Sequence, residues 1–211
     1  MKNKLKLLSA ICLISMVTIH AQSTDRRENL KFGVKAGINV SNIWDSQNQE
    51  FTADSKVGFA GGIFLGIPIG SFLGLQPEIL ISQKGFKGSG TLLGSPYSTS
   101  RTTTYLDIPL QLQLKPAPFI TLLAGPQFSY LLKQKDTYTY GSNSTEQEQE
   151  YNNENIRKNI LGLVGGVDLI FGHLALSGRI GRDLQRNNGD GTSLTPRYKN
   201  QWMQFTAGVE F

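Results

Sequence analysis

Cysteine and histidine are almost absent from this sequence. Cys12 lies near the start of the chain, and beyond residue 21 the only histidine is His173. Without cysteine a domain forms neither disulfides nor a thiolate metal site. A Ser-His-Asp site needs a base beside a nucleophile, and we interpret His173 instead as a solvated turn residue. The composition therefore predicts no enzyme, no metal site and no cofactor.

Long apolar runs are also lacking, apart from one near the start. Residues 7–19 are mainly apolar, but they fall short of the roughly 20 residues that a membrane-spanning helix needs. Three lysines precede this run and Ala21 follows it, a pattern that predicts a cleaved signal peptide over residues 1–21 and a mature domain over residues 22–211. Removing those lysines lowers the formal net charge from +5 to +2. No basic run remains, so we expect no nucleic-acid partner.

The mature sequence does contain a repeated alternation of apolar and polar residues. The clearest stretch places on one face Leu106, Ile108, Leu110, Leu112 and Leu114, and on the other Tyr105, Asp107, Pro109, Gln111 and Gln113. A period of two is typical of a β-strand, because a helix would scatter the two sets around its circumference. Similar alternation predicts eight strands, at residues 31–43, 57–67, 73–84, 106–114, 120–132, 161–171, 174–182 and 203–211.

The strand lengths and the connections both favour a membrane barrel. Each predicted strand has about 9–13 residues, which suits a tilted strand that crosses a bilayer. The connections are long and short in strict turn, as in barrels with tight periplasmic turns and large outer loops. Short turns are predicted at residues 116–118 and 172–173. The longest loop, residues 133–158, is polar, and we expect it to be mobile rather than packed.

Alternation alone leaves open whether the apolar face points outward to lipid or inward, as in a soluble lipocalin-like barrel. The polar face carries mostly Gly, Ser, Gln and Asn, which favours lipid outside. Its isolated charges are predicted to form a network in the lumen, made by Lys35, Glu78, Asp107, Arg179 and Glu210. Aromatic residues near the strand ends suggest interfacial girdles, namely Phe32, Trp44, Phe86, Tyr105, Phe119, Tyr130, Phe171, Trp202 and Phe211. Prolines at 77, 109 and 126 put the local register in question, because proline removes a ladder hydrogen bond.

Several segments resemble the PorT-like outer-membrane β-barrel family. Residues 32–39, FGVKAGIN, are similar to its first strand, residues 75–85, LQPEILISQKG, to its third, and residues 105–110, YLDIPL, to its fourth. Residues 124–126, Ala-Gly-Pro, resemble its fifth strand, so the three prolines lie in family motifs. Phe211, with apolar residues at alternate positions before it, resembles the signal that the barrel-assembly machinery reads. The resemblance implies location and fold far more than function.

These observations predict an all-β, single antiparallel transmembrane barrel of about eight strands in meander topology, located in the cell outer membrane. We expect a small non-enzymatic protein with four surface loops, in a structural, surface-interaction or export-accessory role. Expected partners are outer-membrane lipid, the barrel-assembly machinery during insertion and an envelope protein that the sequence does not identify. The alternatives are a narrow channel for small solutes or apolar molecules, a barrel enzyme and a soluble periplasmic binding barrel.

Overall fold

Antiparallel β-strands dominate the computed structural model of this chain, which describes residues 26–44, 53–92, 95–140, 143–149, 157–188 and 198–211. The predicted signal peptide lies outside these residues. A short 3-10 helix, Arg26–Glu28, precedes nine strands, which are β1 (Lys31–Trp44), β2 (Asp54–Pro68), β3 (Leu73–Leu92), β4 (Ser95–Ala117), β5 (Ile120–Tyr140), β6 (Asn143–Gln149), β7 (Asn159–Phe171), β8 (Leu174–Asp183) and β9 (Lys199–Glu210). None of the helices in the described ranges is long and apolar enough to cross a membrane.

Eight of the strands close into a ring. Each strand pairs with its neighbour in sequence, except that β5 pairs with β7 within the ring, and β1 pairs with β9 to complete the circle. The remaining strand, β6, pairs with the far end of β5. The predicted all-β meander barrel of about eight strands is therefore confirmed, and β6 is an addition to it.

Short and long connections alternate between the two ends of the ring. Residues 69–72, 118–119 and 172–173 join strands at one end, called here the turn end, where β1 also begins and β9 finishes. Gly172 has a φ of 65°, a left-handed conformation that glycine adopts without a steric penalty. The opposite end, where β1 and β8 finish, is called the loop end. The predicted turn at residues 172–173 is confirmed, whereas the turn predicted at 116–118 lies at 118–119.

Two of the predicted long connections are wrong, because the strands continue through them. The connection after residue 84 is mostly the hairpin of β3 and β4, and residues 133–149 of the longest loop belong largely to β5 and β6. These stretches are rich in Thr, Tyr, Ser and Gly rather than apolar residues. Backbone pairing does not require an apolar face, so hydrophobic alternation could not reveal it. Residues 150–156 lie outside the described part of the chain.

The apolar face of the wall points outward. Leu110 is 50% exposed, whereas the next residue, Gln111, is 1% exposed. The same alternation holds in the other strands, so the exterior is a belt of Leu, Ile, Val, Phe and Met around a polar lumen. Water outside would make this exterior unfavourable, whereas hydrocarbon matches it, and the closed ring leaves no strand edge to face the lipid. The lipid-outside prediction is therefore confirmed by the direction of the side chains.

The predicted aromatic girdle is correct only in part. Five of its members are exposed on the outside, namely Phe32, Trp44, Phe119, Phe171 and Phe211. Phe86, Tyr105 and Trp202 are instead buried. Sequence position near a strand end does not distinguish outside from inside. The period of two does, because Tyr105 and Trp202 fall on the polar, inward side of their strands.

The strand prolines are accommodated without a local slip in register. Pro77 faces Leu110, and three residues further along β3 Leu80 faces Asp107, which preserves the same register across the missing hydrogen bonds. Pro109 likewise faces Gln127 in the register that continues to Leu112 and Ala124. The irregularities lie elsewhere, for example at Thr104/Tyr105, where β4 and β5 leave the ring. The prolines therefore remove hydrogen bonds but do not change which side chains of the strand point outward and which point inward.

Candidate functional site

Four charged side chains from four strands meet in the middle of the lumen. Lys35 Nζ lies 2.6 Å from Glu78 Oε2, and both side chains are 2% exposed. Arg179 lies 2.7 Å from Asp168 Oδ1 through Nη1 and 3.8 Å from Glu78 Oε1 through Nη2. This set, called here the lumen network, contains two cations and two carboxylates. Their balance matters because an uncompensated buried charge is costly.

Neutral side chains add hydrogen bonds around the lumen network. Gln76 Nε2 donates to Glu78, and Arg179 Nε donates to Gln111 Oε1. Gln113 in turn donates to Gln76, so amides from β3 and β4 line up along the lumen. These residues fill the cross-section of the barrel with fixed polar contacts, which is the arrangement of a packed interior.

A second buried cluster lies between the lumen network and the loop end. Lys84 Nζ is 3.0 Å from Asp107 Oδ2, and Ser82 donates to the same carboxylate oxygen. The Lys84 ammonium also lies 3.9 Å from the centre of the Trp202 ring and 4.9 Å from that of Tyr105. Aromatic faces attract a cation, so the inward-facing rings help to hold this lysine.

The structure divides the five predicted network residues among three places. Lys35, Glu78 and Arg179 belong to the lumen network, and Asp107 belongs to the second cluster. Glu210 lies near the turn end, where Lys31 Nζ contacts it at 2.5 Å. Their partners Asp168, Lys84 and Lys31 were not among the residues predicted from the sequence. All three lie on the polar faces of their strands, so the period of two could have identified them.

His173 occupies the turn between β7 and β8, as predicted. Its Nδ1 lies 2.8 Å from the carbonyl oxygen of Glu210, and its ring packs 6.4 Å from that of Phe211. These contacts connect the turn to the end of β9. In the described part of the chain, no group of three His, Asp, Glu or Cys side chains is arranged to hold a metal ion.

Beyond the ring, four strand segments form a wall that stands clear of the apolar belt. This wall, called here the extension, consists of residues 88–92, 95–104, 133–140 and 143–149. Arg101 joins its strands through a two-point contact with Asp136, at 2.7 and 2.8 Å, and also donates to Tyr198. Burial raises the pKa of the Tyr198 phenol, and the Arg101 guanidinium opposes that effect.

Three tyrosines are exposed on the extension. Tyr97 and Tyr140 face each other across β4 and β5, and Tyr138 follows two residues along. Their exposed fractions are 38%, 44% and 46%. By the period of two they share the face of Arg101 and Asp136, which is the side toward the barrel axis. Gly90 on β3 leaves space for the Tyr97 ring, because a Cβ at position 90 would lie only 2.6 Å from that ring.

Comparison with known proteins gives one family match and several similar folds. The family model described as "Outer membrane protein beta-barrel domain" matches residues 20–184. Ail, the attachment invasion locus protein of Yersinia pestis, is 9% identical with a TM-score of 0.44, over 86% of this chain and 98% of Ail. Neisserial surface protein A is 13% identical with a TM-score of 0.47, over 85% and 97% of the two chains. OprG from Pseudomonas aeruginosa is 13% identical with a TM-score of 0.38, over 86% and 95%. No curated protein matches the chain.

Proposed function

The chain belongs to the outer membrane protein β-barrel domain family, and from this premise we propose that it is a non-enzymatic surface-interaction protein. Its location is the cell outer membrane. Within the family we assign it to the PorT-like group, on the residues of segments 75–85 and 105–110. The proposal includes insertion by the barrel-assembly machinery through the terminal Phe211, and an envelope partner bound outside the membrane.

The observation that carries the proposal is the extension. The ring alone is sufficient to cross the membrane. Even so, β3, β4 and β5 continue beyond the ring, and β6 pairs with the end of β5. The Arg101–Asp136 contact joins β4 to β5 within this wall, and Tyr97, Tyr138 and Tyr140 present aromatic surface on it. Exposed tyrosines are favourable contact residues, because each contributes a large area and loses little conformational entropy on binding.

The filled lumen supports an interaction role over the channel alternative. Glu78 and Arg179 meet near the barrel axis, and each is 2% exposed. A solute would have to displace these side chains and leave buried charges without their partners. Such a displacement is expensive in a low-dielectric interior.

Photo-crosslinking in intact cells tests the interaction role. A benzophenone amino acid at Tyr138, which is 46% exposed on the extension, should give a discrete adduct with another envelope or external molecule. The matched control is Phe128, which lies on the same strand and is 42% exposed on the lipid face. The same adducts at both positions, or none at Tyr138, would contradict the proposal.

Planar-bilayer recording separates the proposal from the channel alternative. The unsubstituted protein should give no steady conductance. The variant Glu78→Ser/Arg179→Ser removes one charge of each sign and shortens the two side chains that meet in the lumen. This variant should conduct, and it therefore serves as the positive control for an open barrel. Steady conductance by the unsubstituted protein would favour the channel.

A further inference from the structure

A hollow of about 870 Å³ lies in the outer wall near the loop end, across strands β7, β8, β9 and β1. Its position follows from the register. Gly165 faces Ile180, Ile180 faces Met203, and Met203 faces Val40, so these residues form one outward row around the wall. Gly165 has no side chain, so the outer surface of the barrel is recessed at that point. The remaining members of the row are apolar and surround the depression.

In the next outward row, two residues nearer the loop end, three of the four members are polar. Arg182 faces Leu163 on one side and Gln201 on the other, and Gln201 faces Asn42. All of these residues line the hollow. The hollow therefore has an apolar lower part toward the middle of the membrane and a polar upper part toward its surface. A lipid molecule has the same division between its acyl chain and its headgroup.

Arg182 gives the upper part a positive charge. Its guanidinium lies 4.0 Å from the centre of the Trp44 ring, so the exposed indole holds it against the wall. Among the described residues no carboxylate pairs with Arg182. Tryptophan and arginine at the edge of an apolar belt mark the membrane interface, where the cation is available to a lipid phosphate.

We propose that this hollow binds an anionic, phosphate-bearing membrane lipid, with a phosphate on Arg182 and an acyl chain over Gly165. A planar guanidinium donates two parallel hydrogen bonds to phosphate oxygens, so Arg182 suits this headgroup better than a zwitterionic one whose own cation competes. Ile180 and Met203, which are 65% and 54% exposed, would gain contacts from a chain lying between them. The ligand is a membrane lipid rather than free phosphate, because most of the hollow is apolar.

The two tryptophans make the proposal measurable. Trp44 is 41% exposed beside Arg182, whereas Trp202 is 4% exposed. In the Trp202→Phe protein, Trp44 alone reports on lipid at the site. The protein is reconstituted in phosphatidylcholine vesicles that contain the same small mole fraction of brominated phosphatidylglycerol or brominated phosphatidylcholine. Brominated phosphatidylglycerol should quench Trp44 fluorescence more strongly than brominated phosphatidylcholine does. The difference should correspond to a local concentration of phosphatidylglycerol beside Trp44 that is about five-fold higher than in the rest of the bilayer, the factor expected for the attraction of an anionic lipid to one basic residue. Equal quenching by the two lipids would overturn the proposal.

Substitutions then locate the site. Arg182→Gln should abolish the preference for phosphatidylglycerol, and Arg182→Lys should keep part of it. The matched control is Arg186→Gln, which removes the same charge from an exposed position in the neighbouring connection and should keep the preference. If Arg186→Gln reduces the preference as much as Arg182→Gln, general surface charge accounts for it and the site is refuted.

Two further measurements test the acyl-chain part. Gly165→Leu should fill the hollow and lower the preference while Arg182 remains, with folding verified by the heat-induced shift of the barrel on gels. Inorganic phosphate in the buffer should not compete with the lipid. If it does compete fully, the site takes phosphate alone, and the assignment to a membrane lipid is wrong.

Discussion

Neutralising Glu78 gives the sharpest test of how the barrel is held together. Glu78→Gln keeps the size of the side chain but removes its charge. Lys35 Nζ, 2.6 Å from Glu78 and 2% exposed, then loses its ion-pair partner, while Arg179 keeps Asp168 at 2.7 Å. Breaking a buried pair on one side costs about 3–5 kcal/mol, because the remaining charge stays buried without compensation. We expect the free energy of unfolding to fall by about that amount.

A second substitution distinguishes this explanation from a loss of packing. Lys35→Met alone should also be costly, because it leaves Glu78 without the nearer of its two cations. The double variant Lys35→Met/Glu78→Gln removes both charges, so it should be more stable than the sum of the two single effects predicts. Directly interacting residues show coupling of about 0.5–3 kcal/mol in such cycles, and this pair should lie near the upper value.

The assay is urea unfolding in phosphatidylcholine vesicles, followed by tryptophan fluorescence and by the heat-induced shift on gels. Lys31→Met is the matched control, since Lys31 also pairs with a carboxylate but lies at the turn end and is 17% exposed. It should cost less than Glu78→Gln, because solvent compensates for part of the lost interaction. If Glu78→Gln costs no more than Lys31→Met, or if the two effects of the double variant simply add, the reasoning about the lumen network is refuted.

Three further predictions follow from the wall, the turns and the extension. Leu110→Arg places a charge on the lipid face and should lower the free energy of unfolding in urea by about 2–4 kcal/mol. The control Leu110→Phe should change the free energy of unfolding little. Equal effects of the two substitutions would contradict the lipid-outside arrangement. Gly172→Val should lower the free energy of unfolding by at least about 1–2 kcal/mol in the same experiment, because a φ of 65° is strained for a β-branched residue. The control is Phe171→Val, at the neighbouring position, where the backbone geometry is ordinary. Arg101→Ala should make the extension cleavable by protease on intact cells while the ring stays protected, and unchanged cleavage would show that the contact with Asp136 does not hold the extension.

The eight-strand ring could be predicted from the sequence because a half-buried wall imposes a period of two on its residues. Leu106 to Leu114 shows the principle: apolar residues alternate with polar ones, and the structure turns the first set outward and the second inward. The alternation also predicted each strand start at the turn end to within a residue for β1, β3, β5 and β8. There the strands are bounded by short turns with recognisable residues such as Gly172.

The extension could not be predicted, because no apolar face marks it. Residues 133–140 carry Lys, Gln, Asp, Thr and Tyr, which read as a solvated loop. Their pairing with β4 and β6 depends on backbone hydrogen bonds, which do not require hydrophobic side chains. The same limitation explains why the predicted strands β3, β4 and β5 stopped short of their ends at the loop side.

The sequence by itself determined which side chains of a strand share a face, because that depends only on the alternation of neighbouring residues. It thereby determined that Lys35, Glu78 and Arg179 face the polar interior. Only the tertiary structure decided which of them meet, since register and barrel closure set the distance between residues as far apart in sequence as Glu78 and Arg179. Closure also brought Arg182 of β8 against Trp44 of β1, a contact between strands on either side of β9 that no local pattern encodes.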